Sequence, residues 1–169
     1  MMLYFIGFMG VGKTTIGKEF ALKHNIKFID TDKKISEKSK KTISDIFQSK
    51  GETYFRKLES QILKEISQDT IVACGGGLPA YHNNMSYIKK SGVSIYLQAS
   101  TNEIFNRLTN DLKKRPLIKH KSNDDLKKFI AETIAKREKF YLMADYTINT
   151  NNISKKDVLR KINTLPLPF

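Results

Sequence analysis

Cysteine occurs once in this chain, at position 74, so no disulfide can close within it and a reducing, cytoplasmic setting is the default expectation. No apolar run approaches the roughly 20 residues of a membrane-spanning helix. The apolar start MMLYFIGFMG is short, follows no basic segment and runs into glycines, so neither a secretory leader nor a membrane association is expected. His24, His82 and His120 lack metal-ligand spacing and receive no role. Acidic residues are scarce, 17 against 30 basic ones, for a net charge of +13. That excess suits a nucleic-acid binder as well as an enzyme for anionic substrates. The lysines are spread along the chain, however, and no helix-turn-helix, zinc or RNP signature is present, so no nucleic-acid partner is expected. Repeats and low-complexity tracts are also missing. What remains is a 169-residue chain with 40% hydrophobic residues, enough for one contiguous core, so residues 1–169 read as a single domain acting as a monomer.

Short apolar runs recur at Leu3–Ile6, Lys27–Ile29, Thr70–Ala73, Val93–Leu97 and Tyr146–Ile148, separated by helix-length segments. Five strands alternating with helices predict an α/β fold, a parallel sheet covered on both faces. Four hydroxyl residues, each followed three positions on by a carboxylate, mark helix starts: Thr42 with Asp45, Ser100 with Glu103, Ser122 with Asp125, and Ser154 with Asp157. Between Thr109 and Lys121 the apolar periodicity lapses into a basic segment containing Arg115-Pro116, which reads as a loop able to carry a cation over a bound ligand.

The most specific chemical signal is Gly7-Phe8-Met9-Gly10-Val11-Gly12-Lys13-Thr14, a full G-x-x-x-x-G-K-[ST] pattern between a strand and a helix. Backbone N–H groups of the glycine loop and the helix N-terminus can cradle phosphates, Lys13 can reach the β- and γ-phosphates, and Thr14 can offer its hydroxyl to Mg²⁺. Phe28-Ile29-Asp30-Thr31-Asp32 brings two carboxylates to the end of the second strand, where ligands bind in open α/β sheets. Strand alternation predicts both on one side, one for a magnesium shell and one for an attacking hydroxyl; helix capping by Asp32 is the plainer alternative. In Gly51-Glu52-Thr53-Tyr54-Phe55-Arg56-Lys57-Leu58-Glu59, Glu52, Arg56 and Glu59 share a helical face, as either a surface ion pair or a ligand site, with Phe55 pointing elsewhere. Ala73-Cys74-Gly75-Gly76-Gly77 leaves backbone exposed after the third strand, and Cys74 reads as a buried small residue. Arg137 lies on a helix predicted over Ala131–Ala144, one turn before Tyr141.

Taken together, the P-loop, FIDTD, GETYFRKLE, ACGGG, KRPLI and AKREKFY resemble the shikimate kinase family in order and approximate spacing over almost the whole chain. The resemblance implies a three-layer α/β/α P-loop kinase fold with sheet order 2-3-1-4-5, a substrate-binding region at about 32–60 and a lid at about 109–121. It implies ATP-dependent phosphorylation of the shikimate 3-hydroxyl, with Mg²⁺ as cofactor, in the route to chorismate. Lys13, Asp32 and Arg115 would be catalytic. Gly10, Val11, Gly12, Lys13, Thr14, Thr15, Arg107, Arg115 and Asn151 would hold ATP; Thr14 and, through water, Asp30 would hold Mg²⁺. Asp32 would take the substrate hydroxyls, Arg56 and Arg137 its carboxylate, Gly76 and Gly77 its ring, and Ile43, Phe47 and Phe55 would form an apolar wall. Some relatives carry a hydroxyl residue where Ala73 stands, so any hydroxyl contact to magnesium there must be absent or supplied by water. The competing readings are a P-loop kinase for a gluconate-like acceptor and, more distantly, a basic nucleotide-dependent RNA-binding module.

Overall fold

The computed structural model describes residues 2–110 and 122–167; Arg115 and nearly all of the expected lid at 109–121 lie outside the described residues. Chain order runs β1 (Met2–Ile6), α1 (Lys13–His24), β2 (Lys27–Asp30), α2 (Thr31–Ser39), α3 (Ile43–Glu65), β3 (Thr70–Ala73), a 3₁₀ turn (Leu78–Ala80), α4 (Asn84–Ser91), β4 (Gly92–Gln98), α5 (Thr101–Thr109), α6 (Asn123–Tyr141), β5 (Tyr146–Asn149) and α7 (Lys155–Asn163). Among the described residues the strands form one five-stranded sheet in the order β2-β3-β1-β4-β5, every neighbouring pair parallel. Both the order and the parallel pairing agree with the expectation. The strands begin or end within a residue or so of the predicted runs.

Each of β1's five residues is buried, as a central parallel strand covered on both faces requires. Alternation then divides the core. Leu3 and Phe5 face a cluster with Ile16 and Phe20 of α1, Ile104 and Leu108 of α5, and Val158 and Ile162 of α7. Met2, Tyr4 and Ile6 face a second cluster with Leu63 of α3, Met85 and Ile88 of α4, and Tyr141 of α6. Helix α6 contributes to both, through Leu126 and Ile130 to the first and Tyr141 to the second. A third cluster, Ile35, Ile46, Phe55 and Ile62, joins α2 to α3 away from the sheet.

All four predicted caps form. Thr42, Ser100, Ser122 and Ser154 each accept a hydrogen bond from the backbone N–H three residues on. At Thr42 the bond is reciprocal, with Asp45 Oδ2 accepting from the Thr42 N–H. Helix α3 kinks at Gly51 (φ 77°, ψ 173°), so Glu52, Arg56 and Glu59 all lie on its second, continuous segment and keep their common face. Helix α6 starts at Asn123 rather than Ala131, because Ser122 caps it directly. No helix among the described residues is long and apolar enough to cross a membrane.

The capping box sets the entry to α3 and hence the third cluster. Thr42→Ala should lower stability by about 1 kcal/mol, read as a lower urea midpoint at unchanged m-value. An unchanged midpoint would mean that water satisfies this helix start equally well.

Candidate active site

The end of β1 delivers the chain into the glycine loop, and Gly12, left-handed at φ 97°, turns it into α1. Lys13 opens that helix and is 8% exposed, its ammonium folded back to donate to the carbonyls of Gly7 at 2.8 Å and Phe8 at 2.7 Å. Thr14 Oγ1 donates to Asp30 Oδ2 at 2.6 Å, joining the first turn of α1 to the end of β2. A hydroxyl and a carboxylate side by side at a phosphate loop are hard oxygen donors of the kind Mg²⁺ takes, so these residues fit that ion. A cavity of about 280 Å³ runs from Arg107 past Gly10, Lys13 and Thr14 to Asp32 and Gly76.

A neighbouring groove of about 350 Å³ continues over Val11, Gly12 and Thr15 to Thr150 and Ile153. Arg107 lines both, held by Glu103 at 2.8 Å and by the Thr150 carbonyl at 2.6 Å. The Oδ1 of Asn151 accepts from the backbone N–H of Ser100 at 2.8 Å, fixing the loop after β5 to the start of α5. Thr150 and Ile153 line the groove beside Arg107.

The two carboxylates of FIDTD are not set by strand alternation. Strand β2 ends at Asp30, whose Oδ1 accepts from the Lys33 N–H and caps α2, while Asp32 already belongs to the first turn of that helix. The capping residue is therefore Asp30, and the helical turn is what brings Asp32 into the cavity. Buried Thr31 between them accepts from the Gly75 N–H at 2.8 Å, anchoring the glycine turn that follows β3.

Arg56 is buried rather than on the surface, its side chain 8% exposed. Its Nη1 donates to Glu59 Oε2 at 2.6 Å, and its Nε and Nη2 donate to Glu52 Oε1 at 3.0 and 2.8 Å. The Tyr81 ring lies 4.4 Å from the guanidinium carbon, Phe55 5.4 Å and Phe47 5.9 Å. Phe55 thus serves both the third cluster and this wall, with its ring centroid 4.7 Å from that of Phe47. The glycine turn makes the packing possible: a Cβ on Gly77 would strike the guanidinium, and one on Gly75 would strike the carboxylates of Asp32 and Glu59. Arg137, on α6, is near enough for its charge to act on Glu52, Glu59 and Tyr141.

Burial and ion pairing compete in the titration of this cluster. Glu59 is pushed up to about 7 by loss of solvent, with Arg56 opposing the shift and Asp32 adding to it. Half-exposed Glu52 is instead held below the usual carboxylate range by its hydrogen bonds from Arg56. For Arg56, desolvation pulls downward, but Glu59 and Glu52 outweigh it and the guanidinium stays charged. Burial raises the Cys74 thiol, in keeping with a packing role.

A family model for shikimate kinase matches residues 9–165. The chain belongs to the shikimate kinase family. It is 40% identical over 163 residues to a shikimate kinase of Azobacteroides pseudotrichonymphae genomovar. CFP2, covering 95% of this chain and 96% of that one. The crystal structure of a shikimate kinase from Bacteroides thetaiotaomicron superposes with a TM-score of 0.91 at 32% identity, over 96% of both chains. The shikimate kinase from Acinetobacter baumannii in complex with shikimate gives 0.87 at 32% identity, over 96% of this chain and 90% of that one. A gluconokinase from Sinorhizobium meliloti 1021, 14% identical with a TM-score of 0.56, shares the fold alone.

Several residues of this shikimate kinase family site escape a reading of motifs. Tyr81 packs on Arg56 and donates to Glu52 at 3.2 Å, yet it follows the glycines by a turn without periodicity. Thr31 lies between two more conspicuous aspartates, and only the fold shows what it bonds. Tyr141 sits within AKREKFY, but its contact with the Gly76 carbonyl is a tertiary one.

The Glu59 carboxyl binds its proton more tightly folded than unfolded, so its contribution favours folding below about 4.5 and is lost as pH rises through about 7. Wild-type protein should therefore lose stability relative to Glu59→Gln as pH is raised across that window, measured as urea midpoints at a series of pH values. Parallel profiles would show that Arg56 keeps Glu59 ionised throughout.

Proposed function

We propose that this chain transfers the γ-phosphoryl group of ATP to the 3-hydroxyl of shikimate, giving shikimate 3-phosphate and ADP, a step in making chorismate and the aromatic amino acids. Membership of the shikimate kinase family carries ATP-dependent phosphorylation of shikimate, with Mg²⁺ as cofactor. The observation that most supports the reading is a convergence. Arg56 and Arg137, from two separate helices, both act on Glu59 and Tyr141, and Glu59 also feels Asp32, which lines the cavity with Lys13. Two guanidinium forks and a carboxylate are what a polyhydroxylated acid calls for.

In this mechanism the acceptor carboxylate lies against Arg56 and Arg137, its ring against the Gly76–Gly77 backbone and the Phe47 and Phe55 wall, and its 3-hydroxyl against Asp32. Lys13 exchanges contacts with its own loop for β- and γ-phosphate oxygens, and Gly10 to Thr15 with Arg107 hold the rest of ATP. The hydroxyl oxygen bonds to the γ-phosphorus as the bond to the bridging oxygen breaks and ADP departs, while Asp32 orients the attacking hydroxyl through a hydrogen bond and the hydroxyl proton leaves along it to the carboxylate. Thr14 and Asp30 would hold Mg²⁺, which when bound neutralises phosphate charge. Arg115 and the lid at 109–121 enter through the family resemblance of the sequence alone. We also read the chain as one domain, a cytoplasmic monomer with no nucleic-acid partner; the single buried cysteine and the scattered lysines support this.

An ADP-release assay over a panel of hydroxy acids and nucleoside monophosphates should respond to shikimate, and Lys13→Ala should lower that turnover by on the order of a hundredfold or more with the fold intact. Turnover with gluconate and none with shikimate would overturn the acceptor assignment. Asp32→Asn should depress kcat with shikimate while leaving the ATP dissociation constant unchanged. The opposite pattern would move Asp32 to the nucleotide.

A further inference from the structure

We infer that Tyr141 is a positioning residue for acid recognition: its hydroxyl ties the glycine turn after β3 to Arg137, holding both walls of the acceptor site at one separation. The ring is fully buried and lies against Tyr96, with centroids 5.2 Å apart and planes inclined by 34°. Packing of this kind needs only the ring, and a buried phenol oxygen is costly unless it is hydrogen-bonded. Here its hydrogen bond leads to the acceptor site. The hydroxyl donates to the carbonyl of Gly76 at 2.5 Å. A phenol has one proton to give and lone pairs to spare. Arg137 sits one helical turn earlier on the same face of α6, with its charge acting on the phenol, so its guanidinium is the donor placed to approach that oxygen.

The link spans the site because of what stands on either side. Gly76 lines the cavity, and the next residue, Gly77, lies directly under the Arg56 guanidinium. A shift of this turn therefore changes the seat of Arg56, while release of the phenol oxygen changes the aim of Arg137. Tyr141 touches neither substrate and acts through these two groups. Burial pushes the phenol up to about 12, with Arg137 opposing, so it remains a donor at neutral pH.

The inference rests on Arg137 reading the acceptor carboxylate, and the test separates the two claims. Wild type, Tyr141→Phe, Arg137→Ala and the double variant are compared in steady-state kinetics with shikimate and with its neutral carboxamide. Tyr96→Phe serves as a control that removes a hydroxyl from the stacked partner ring. Tyr141→Phe should raise KM for shikimate about tenfold, the scale of a lost charge-assisted hydrogen bond. KM for the carboxamide and for ATP should stay unchanged, and Tyr141→Phe should cost less in the Arg137→Ala background, where only its hold on the turn beneath Arg56 remains to be lost. Tyr96→Phe should leave the preference for acid intact. If Arg137→Ala abolishes that preference while Tyr141→Phe preserves it, Tyr141 only packs, and this inference fails while the carboxylate reading stands. If Arg137→Ala itself leaves the preference intact, the carboxylate reading fails and this inference with it. Equal losses against acid and carboxamide in Tyr141→Phe would mark a general structural defect and also overturn it.

Discussion

A parallel sheet sends the ends of all its strands to one edge, and everything in this site depends on that constraint. Strand β1 empties into the glycine loop and Lys13, β2 into Asp30 and Asp32, and β3 into the Gly75–Gly77 turn. Strand β4 leads to Ser100 and the helix bearing Arg107, and β5 to Thr150. Groups remote in sequence become neighbours because parallel pairing puts β1 between β3 and β4, with its residues matched to Thr70–Ala73 on one side and Gly92–Tyr96 on the other. The buried apolar residues of β1 hold that arrangement, so the core and the site share one cause.

Off the sheet, the acceptor wall is built on a different principle. Arg56 and Glu59 form an ion pair in which both side chains are nearly excluded from water, and desolvating two charges is expensive. Glu52 and three aromatic rings complete the setting of the guanidinium, but Glu59 retains an Oε1 with no hydrogen-bond partner. A cluster optimised only for stability would not bury that oxygen. The cost is understandable where a cation must be pre-aimed at an acidic ligand, since a long side chain fixed in advance loses less entropy on binding. The glycine turn belongs to the same device. Its missing side chains admit the guanidinium and the carboxylates, so Gly75 and Gly77 shape the protein's own charged groups as well as leaving backbone open to a ligand.

Much of this was legible in the chain. The glycine loop, the capping residues and the order of apolar runs are local signals, each governed by backbone geometry over a few residues, and they led to the observed elements. The common face of Glu52, Arg56 and Glu59 follows from helical periodicity, and it survives the Gly51 kink because the kink precedes all three. FIDTD is less legible: strand alternation predicts Asp30 and Asp32 on one side at the strand's end, whereas Asp30 ends the strand and caps the next helix, which carries Asp32. A strand run and a helix start overlap by one residue here, and periodicity cannot divide a segment so short.

By itself the sequence determined the strand and helix succession, the phosphate loop and the identities of the charged residues, because these rest on interactions between near neighbours. Only the tertiary structure decided that Arg56 is buried against Gly77, that Asn151 faces Ser100, that Tyr81 packs on the guanidinium and that Tyr141 bonds Gly76. Those contacts join elements far apart in the chain, and their geometry is set by how the helices close over the sheet edge, which no local pattern encodes.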